Sequence, residues 1–135
     1  MKKIIVLLLL ASSNLPMTVF AEWTKVGWSD DGEKTAYIDF QSLRKNGNKV
    51  KMWQLLDYKT VQIFPKDNTR HLSMLTRNEY DCSDETDRHL DMFWYSENMK
   101  EGEIVFSYPN MKIEPRAIIP GSIDETLFKR VCGKK

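Results

Sequence analysis

The residues of this chain that could carry chemistry are few: two histidines, two cysteines and one short acidic run. His71 and His89 are the histidines that could act as bases, and neither lies in a local catalytic signature. The sequence contains no Gly-x-Ser-x-Gly motif, no glycine-rich phosphate loop and no Cys-x-x-Cys pair. Because the hydrolase, nucleotide-binding and redox classes lack their usual residues, we expect no catalytic residue and no enzyme activity.

Metal binding is the second kind of chemistry to consider. The acidic run 84–87 lacks the alternating ligand spacing and the central glycine of a calcium loop, so we expect it to form a solvated turn. Cys82 and Cys132 lie far apart with no histidine pair beside them, which does not resemble a zinc site. We therefore predict no metal site and, from the residues themselves, no cofactor.

The N-terminal segment predicts export. Two lysines precede a short apolar run, residues 4–11, and residues 19–21 end in the small-x-small pattern that signal peptidase reads. We therefore predict a signal peptide over residues 1–21, cleaved between Ala21 and Glu22. The apolar run is too short to span a bilayer, and no cysteine near the cut is available for lipid modification, so we expect neither a membrane anchor nor a lipoprotein. The mature protein is then periplasmic or secreted.

Length and charge set further bounds. Removing 21 residues from 135 leaves 114, enough for one domain over residues 22–135 that buries its own core. The formal charge of the whole chain is +1, and the loss of the two N-terminal lysines changes it to −1. A surface that binds nucleic acid needs a clustered basic excess, so we expect no nucleic-acid partner.

The two cysteines of an exported chain most simply pair with each other. A Cys82–Cys132 disulfide would close a loop of about fifty residues, and loop-closure entropy puts its stabilisation at roughly 4 kcal/mol. Two free, buried thiols are the alternative. If the pair forms, it clamps the C-terminal end of the chain to whatever element carries Cys82.

A C-terminal helix is the best specified of the elements that must position these residues. Ser122 and Glu125 form a capping-box pattern, and Pro120 with Gly121 prevents an earlier start. Gly133 suits the left-handed position that ends a helix. One apolar stripe is formed by Ile123, Leu127, Phe128, Val131 and Cys132.

The rest of the chain reads as strands. Alternating apolar positions and turn residues predict strands at 22–28, 35–38, 50–58, 72–82, 88–95 and 104–108. We expect a single helical turn at residues 40–44 with Asp39 as its cap, a loop at 59–70 and an irregular crossing at 109–120. Strands first and one helix last predict an α+β fold, an antiparallel, curved sheet of about five to six strands with the helix tied to it.

Bulky apolar residues occupy both faces of the predicted strands, which one helix is unable to cover. The residues concerned include Trp53, Phe93, Trp94 and Tyr95. Either the sheet curls until its second face also closes, or that face is a contact surface for a ligand or a second copy of the chain. These four residues are therefore our candidate interaction surface.

The order of landmarks along the mature chain resembles the surface-adhesin protein E family. The matching segments are Trp23-x-x-Val26-Gly27, Tyr37-Ile38-Asp39 with Ser42-Leu43-Arg44, Lys51-Met52-Trp53 to Asp57-Tyr58, Glu79-Tyr80-Asp81-Cys82, Gly102-Glu103-Ile104-Val105, and Ile119-Pro120-Gly121-Ser122 running to Cys132. The resemblance implies an antiparallel sheet with a disulfide-tied C-terminal helix, often as a dimer. It also implies an adhesin that binds vitronectin, laminin and plasminogen, and it is the sole reason to consider haem as a cofactor.

These patterns together favour an exported, non-enzymatic binding module of the bacterial cell envelope that binds a protein partner. One alternative is a host extracellular-matrix adhesin of the vitronectin and laminin type, which would use the loop at 59–70 and the aromatic sheet face. Another is an envelope accessory protein of structural role that forms a homodimer through Trp53 and residues 93–95.

Overall fold

The structure, a computed structural model, describes residues 22–133. The predicted signal segment 1–21 lies outside the described residues. The described part contains seven strands, one short 3-10 turn and one α-helix. Their bounds are β1 Trp23–Trp28, β2 Lys34–Asn46, β3 Lys49–Ile63, β4 Arg70–Asp81, β5 Thr86–Tyr95, the 3-10 turn Asn98–Lys100, β6 Ile104–Tyr108, β7 Arg116–Ala117 and α1 Ile123–Cys132.

The strands form one antiparallel sheet in the order β1-β2-β3-β4-β5-β6, with β7 paired to β5. The α+β class is confirmed. The strand count is one higher than the five to six we predicted, because the two-residue β7 forms inside the segment expected to be irregular. Every neighbour in the main path is also a neighbour in sequence, which short turns make possible. At the β2–β3 turn Gly47 takes φ +60°, a conformation that favours glycine.

The helical turn predicted at residues 40–44 is wrong, because β2 continues through it. Asp39 pairs with Trp53 and Arg44 with Lys51, so residues 40–43 stand opposite a single residue of β3 as a large bulge. Asp39 does form the local capping hydrogen bond that its position suggested, but no helical turn follows it. Asp39 Oδ1 accepts the N–H of Gln41 at 3.0 Å, an Asx turn that needs no helix.

The loop predicted at residues 59–70 is wrong in most of its length. β3 runs on to Ile63, and pairing with β4 resumes where Gln62 meets His71. In between, residues 58–61 bulge away from β4 and are held by another part of the chain. The N–H of Lys59 donates to the carbonyl oxygen of Glu33 at 2.9 Å, so its hydrogen bond is satisfied without β4.

The C-terminal helix α1 forms as its capping pattern predicts. The Ser122 hydroxyl accepts the N–H of Glu125 at 3.2 Å, and Gly133 ends the helix with φ +67°. The reciprocal half of the capping box is absent, because the N–H of Ser122 donates to the carbonyl oxygen of Ile119. The Glu125 carboxylate instead accepts from Lys129 at 2.9 Å, one turn along the helix.

The core lies between α1 and one face of the sheet. It is formed by Ala36, Ile38, Val50, Met52, Tyr80, Leu127, Phe128 and Val131. All of these side chains are buried, and the rings of Tyr80 and Phe128 lie 6.1 Å apart. The predicted apolar stripe of the helix therefore faces the sheet.

The predicted disulfide is confirmed. Cys82 and Cys132 are bonded, with 5.5 Å between their Cα atoms, and both pack against the core. Cys82 directly follows β4, and Cys132 ends α1. The bond therefore fastens the last turn of the only helix in the described residues to a central strand of the sheet.

We expect the Cys82→Ser/Cys132→Ser variant to be less stable than the oxidised protein by up to about 4 kcal/mol, because the unfolded chain gains the freedom of a fifty-residue loop. Urea unfolding measures the difference. Reductant should lower the midpoint of the unmodified protein and leave that of the double variant unchanged. An unchanged midpoint after loss of the bond would contradict this prediction.

Candidate functional site

The two faces of the sheet differ in what covers them. α1 covers the face that carries Val50, Met52 and Tyr80. The alternate residues point away from the helix, and we call this side the open face. Its cross-strand neighbours are Tyr37, Leu55, Leu75 and Phe93 in one row, and Asp39, Trp53, Arg77 and Asp91 in the next.

Aromatic residues form the centre of the open face. The rings of Trp53 and Phe93 lie 6.3 Å apart, and both side chains are half-buried. Leu55, two residues along β3 from Trp53 on the same face, is completely buried. The open face therefore has a small apolar core of its own, although α1 packs on the other face.

A loop folds over one end of the open face. This loop joins β5 to β6 and contains the 3-10 turn. The N–H of Met99 donates to Asp57 Oδ1 at 2.7 Å, and the N–H of Lys100 donates to the Ser73 hydroxyl at 2.9 Å. Because Asp57 and Ser73 are open-face residues, the loop closes the face at this end and leaves it uncovered at the other.

The uncovered end carries a row of charges. Arg44, Lys51, Glu79 and Arg88 are consecutive cross-strand neighbours. Arg88 donates to Glu79 Oε1 at 2.8 Å, while the Lys51 ammonium is 3.7 Å from the other oxygen of that carboxylate. The Glu79 side chain is only 7% exposed, so its charge is compensated mainly by Arg88, in the shortest of these contacts.

Three cations converge beside Trp53 at this end. A cleft of about 270 Å³ is lined by Ser42, Arg44, Lys51, Met52, Trp53 and Arg77. The guanidinium of Arg77 lies 5.9 Å from the centre of the Trp53 ring and pairs with Asp91 at 2.6 Å. We call Arg44, Lys51 and Arg77 the basic corner. Sequence reasoning missed it, although the i, i+2 spacing of Lys51 and Trp53 on a strand places both on one face.

The four predicted interaction residues do not all lie together. Trp53, Phe93 and Tyr95 share the open face, whereas Trp94 points to the other side. Trp94 packs against Phe64 and Phe106, with ring centres 5.5 Å and 5.3 Å away. We call these three rings the edge cluster.

The edge cluster lies at an exposed end of the sheet. Phe106 is 45% exposed, and Ile63 and Ile104, on the strands that carry or flank these rings, are 55% and 52% exposed. Phe64 comes from the segment in which the sequence predicted a binding loop. The structure therefore separates the predicted surface into two aromatic patches.

His71 is buried at 6% exposure and does not face a solvent cleft as a base would. Its ring packs against Phe64 at 4.6 Å and Tyr58 at 5.5 Å. Burial lowers the pKa of His71, which favours the neutral imidazole. It acts as a packed residue of the sheet.

His89 belongs to a polar network. Its Nε2 lies 3.2 Å from the Arg116 guanidinium, which can only donate, so Nε2 accepts and Nδ1 donates to Asn78 Oδ1 at 2.7 Å. Both ring nitrogens are therefore engaged. His89 therefore has no free ring nitrogen to offer a haem iron, whereas His71 Nδ1 is buried without a hydrogen-bond partner in a ring packed against Phe64 and Tyr58.

The acidic run predicted as a solvated turn is only partly so. Asp84 and Glu85 are exposed, but Asp87 is 1% exposed within β5. Its carboxylate accepts two hydrogen bonds from Arg116, at 3.0 Å and 3.3 Å. Arg116 also donates to Asp124 at 3.1 Å, so one guanidinium ties β7 to β5 and to the first turn of α1.

Among residues 22–133, no three His, Cys, Asp or Glu side chains meet in an arrangement that could hold a metal ion. No helix in this part of the chain combines the length and the apolar character needed to cross a bilayer. A larger cleft, of about 390 Å³, lies beside Trp28 at the start of α1, and its lining includes serine, threonine and glycine but no histidine. Its two charged lining residues, Asp30 and Lys34, have opposite formal charges, so it offers a ligand less net charge than the basic corner does.

Comparison with known proteins places the chain clearly. The sequence model of the family described as surface-adhesin protein E matches residues 23–133. A search of curated proteins finds no significant match.

Solved structures of Haemophilus influenzae protein E have a similar fold. Crystal form II of Haemophilus influenzae protein E is 13% identical, with a TM-score of 0.59 over 87% of this chain and 92% of that one. Another structure of Haemophilus influenzae protein E is 13% identical, with a TM-score of 0.57 over 87% and 89%. Protein E from non-typeable Haemophilus influenzae is also 13% identical, with a TM-score of 0.56 over 87% and 80%. At this identity the likeness concerns the fold alone.

The histidine environments predict how stability depends on pH. Burial, and then the charge of Arg116, lower the pKa of His89 in the folded protein. Below about pH 6.5 His89 therefore binds a proton in the unfolded chain but not in the folded protein. The free energy of unfolding falls as the pH falls through this window. Burial lowers the pKa of His71 in the same direction. Burial and the nearby Asp87 raise the pKa of Asp124, which acts oppositely only at lower pH.

We therefore expect the urea midpoint of the protein to fall between about pH 7.5 and about pH 5.5. In His89→Gln the fall should be smaller, since the amide does not titrate. Lys112→Gln, which changes an exposed residue outside the network, should keep the original fall. Equal pH dependence in His89→Gln and the unmodified protein would refute the assignment.

Proposed function

The chain belongs to the surface-adhesin protein E family, and on that premise we propose that it is an exported, non-enzymatic module of the cell envelope that binds a protein partner through its open face. Its family takes its name from a surface adhesin. The protein partner and the face it uses are the proposal.

One observation carries the proposal: an aromatic sheet face without a helix over it. The rings of Trp53 and Phe93 are in contact distance on the open face, and Tyr95 lies on the same side. Large aromatic residues beside an arginine are the composition that dominates the energetics of protein interfaces. Arg77, whose guanidinium lies over the Trp53 ring, supplies that arginine.

Export is part of the same proposal. We infer that residues 1–21 are removed as a signal peptide and that residues 22–135 act in the periplasm or outside the cell, without a membrane anchor. The disulfide supports this, because such bonds persist in oxidising compartments.

Matrix adhesion is the second candidate, and the edge cluster favours it. Phe64 and Phe106 present apolar surface at the end of the sheet, next to the exposed Ile63 and Ile104. An adhesin for host matrix proteins such as vitronectin or laminin could use this patch together with the open face. Light scattering on the same protein separates partner binding from a homodimer through the open face.

We expect Trp53→Ala and Phe93→Ala to weaken binding of the protein to its partner by about thirtyfold each, the effect of removing a central aromatic residue from an interface. Biolayer interferometry against immobilised vitronectin, laminin and a periplasmic extract measures it. Ile119→Ala is the control, since Ile119 is 67% exposed and lies outside the sheet, in the segment before α1.

Circular dichroism must show that both variants are folded. Binding that survives in both folded variants would exclude the open face. Loss of binding in Phe106→Ala, with Trp53→Ala unaffected, would assign the interaction to the edge cluster instead.

Antibody labelling of expressing cells tests the location. If the protein is periplasmic, we expect no signal from intact cells and a strong signal once the outer membrane is opened. Labelling of intact cells would instead support display at the surface, as matrix adhesion requires.

A further inference from the structure

We propose that the basic corner of the open face binds a carboxylate of an acidic side chain on a protein partner. Arg44, Lys51 and Arg77 come from three adjacent strands and line one cleft. The sheet register sets Arg44 opposite Lys51 and places Arg77 opposite Trp53, diagonal to Lys51. The inference rests on the proposed function only in taking a protein as the source of the carboxylate.

Two of the three cations of the basic corner, Arg44 and Lys51, have no full counter-charge among residues 22–133. Arg77 has Asp91 as its counter-ion at 2.6 Å. Lys51 shares Glu79 with Arg88 and Lys49, and it stands 3.7 Å away while Arg88 makes the 2.8 Å bond. No carboxylate in residues 22–133 lies within ion-pair distance of Arg44. An anion placed between Arg44 and Lys51 would therefore meet positive charge that is still free to pair.

The guanidinium of Arg44 is held in position before any ligand binds. Arg44 Nη1 donates to the carbonyl oxygens of Gln41 and Leu43, at 2.8 Å and 2.9 Å, which holds the guanidinium against the β2 bulge. The bulge itself is pinned to β3, because the Ser42 hydroxyl accepts the N–H of Trp53 at 2.9 Å. A fixed guanidinium loses less freedom when it binds a carboxylate, which strengthens the contact.

The surroundings favour a single carboxylate over a long polyanion. Glu79, Asp81 and Asp91 lie on the same face within one or two residues of the basic corner and would repel a chain of sulfates or phosphates. The cations also form a compact group and not the extended stripe that a polyanion follows.

The apolar neighbours favour a protein over a sugar. The Arg77 guanidinium already lies over the ring of Trp53, 5.9 Å from its centre, which leaves less of that ring as a flat platform for a sugar. Phe93 and Leu75 continue the face next to Trp53 as apolar surface. A partner that places an acidic side chain beside an apolar one would fill both parts of the open face.

The test titrates the purified, 15N-labelled protein with three probes and follows backbone amide shifts. The first probe is an acetylated peptide amide with one glutamate between two phenylalanines. The second is the same peptide with glutamine. The third is a heparin-derived octasaccharide. We expect the glutamate peptide to shift the amides of residues 42–44, 51–53 and 77, and the glutamine peptide to bind at least about tenfold more weakly.

Arg44→Gln/Lys51→Gln should bind the glutamate peptide about tenfold more weakly or worse than the unmodified protein does. Added salt should weaken the binding of this peptide to the unmodified protein. Lys59→Gln/Lys112→Gln is the matched control, since both lysines are exposed and lie away from the basic corner. If the double variant does not fold, Lys51→Met alone serves, because that side chain is 53% exposed.

Equal binding of the two peptides, or unchanged binding in the charge variants, would overturn the proposal. Binding of the octasaccharide without binding of the glutamate peptide would overturn it in favour of a polyanion site. The proposed function is judged separately: a partner that needs Trp53 but not Arg44 or Lys51 would leave it standing while this inference fails. If the glutamate peptide binds and no protein partner does, this inference stands while the proposed function fails.

Discussion

In residues 22–133 one α-helix covers one face of a sheet whose main path has six consecutive strands, and the rest of this part of the structure depends on that mismatch in size. α1 is ten residues long and buries Leu127, Phe128 and Val131 against one face. Its end is bonded to Cys82, so the cover is held in place over the central strands. The apolar residues of the opposite face are therefore buried by one another and by a loop.

The two ends of the open face differ in what covers them. At one end the β5–β6 loop hydrogen-bonds Asp57 and Ser73 and closes over the sheet. At the other end aromatic rings meet a row of charged residues, and the buried Glu79 is compensated by three cations. The positive charge of Arg44 and Lys51 that remains unpaired lies next to the half-buried rings of the open face, and our functional proposals rest on this combination.

Bulges account for much of this difference. The β2 bulge lets residues 40–43 oppose one residue of β3 and brings Arg44 beside Lys51. The β3 bulge lets residues 58–61 leave β4 before pairing resumes at Gln62. Both bulges replace elements that the sequence had suggested as a helical turn and a loop. Irregular positions of this kind re-aim side chains and are common beside binding sites.

The sequence by itself determined the α+β class, the capped C-terminal helix and the pairing of Cys82 with Cys132, because caps, apolar periodicity and a lone cysteine pair are local or countable signals. It also identified Trp53 and Phe93 as aromatic residues of the sheet. Only the tertiary structure decided that Asp87 is buried against Arg116 and that Arg44, Lys51 and Arg77 converge. These outcomes depend on register, and one bulged residue reverses which face every later side chain occupies.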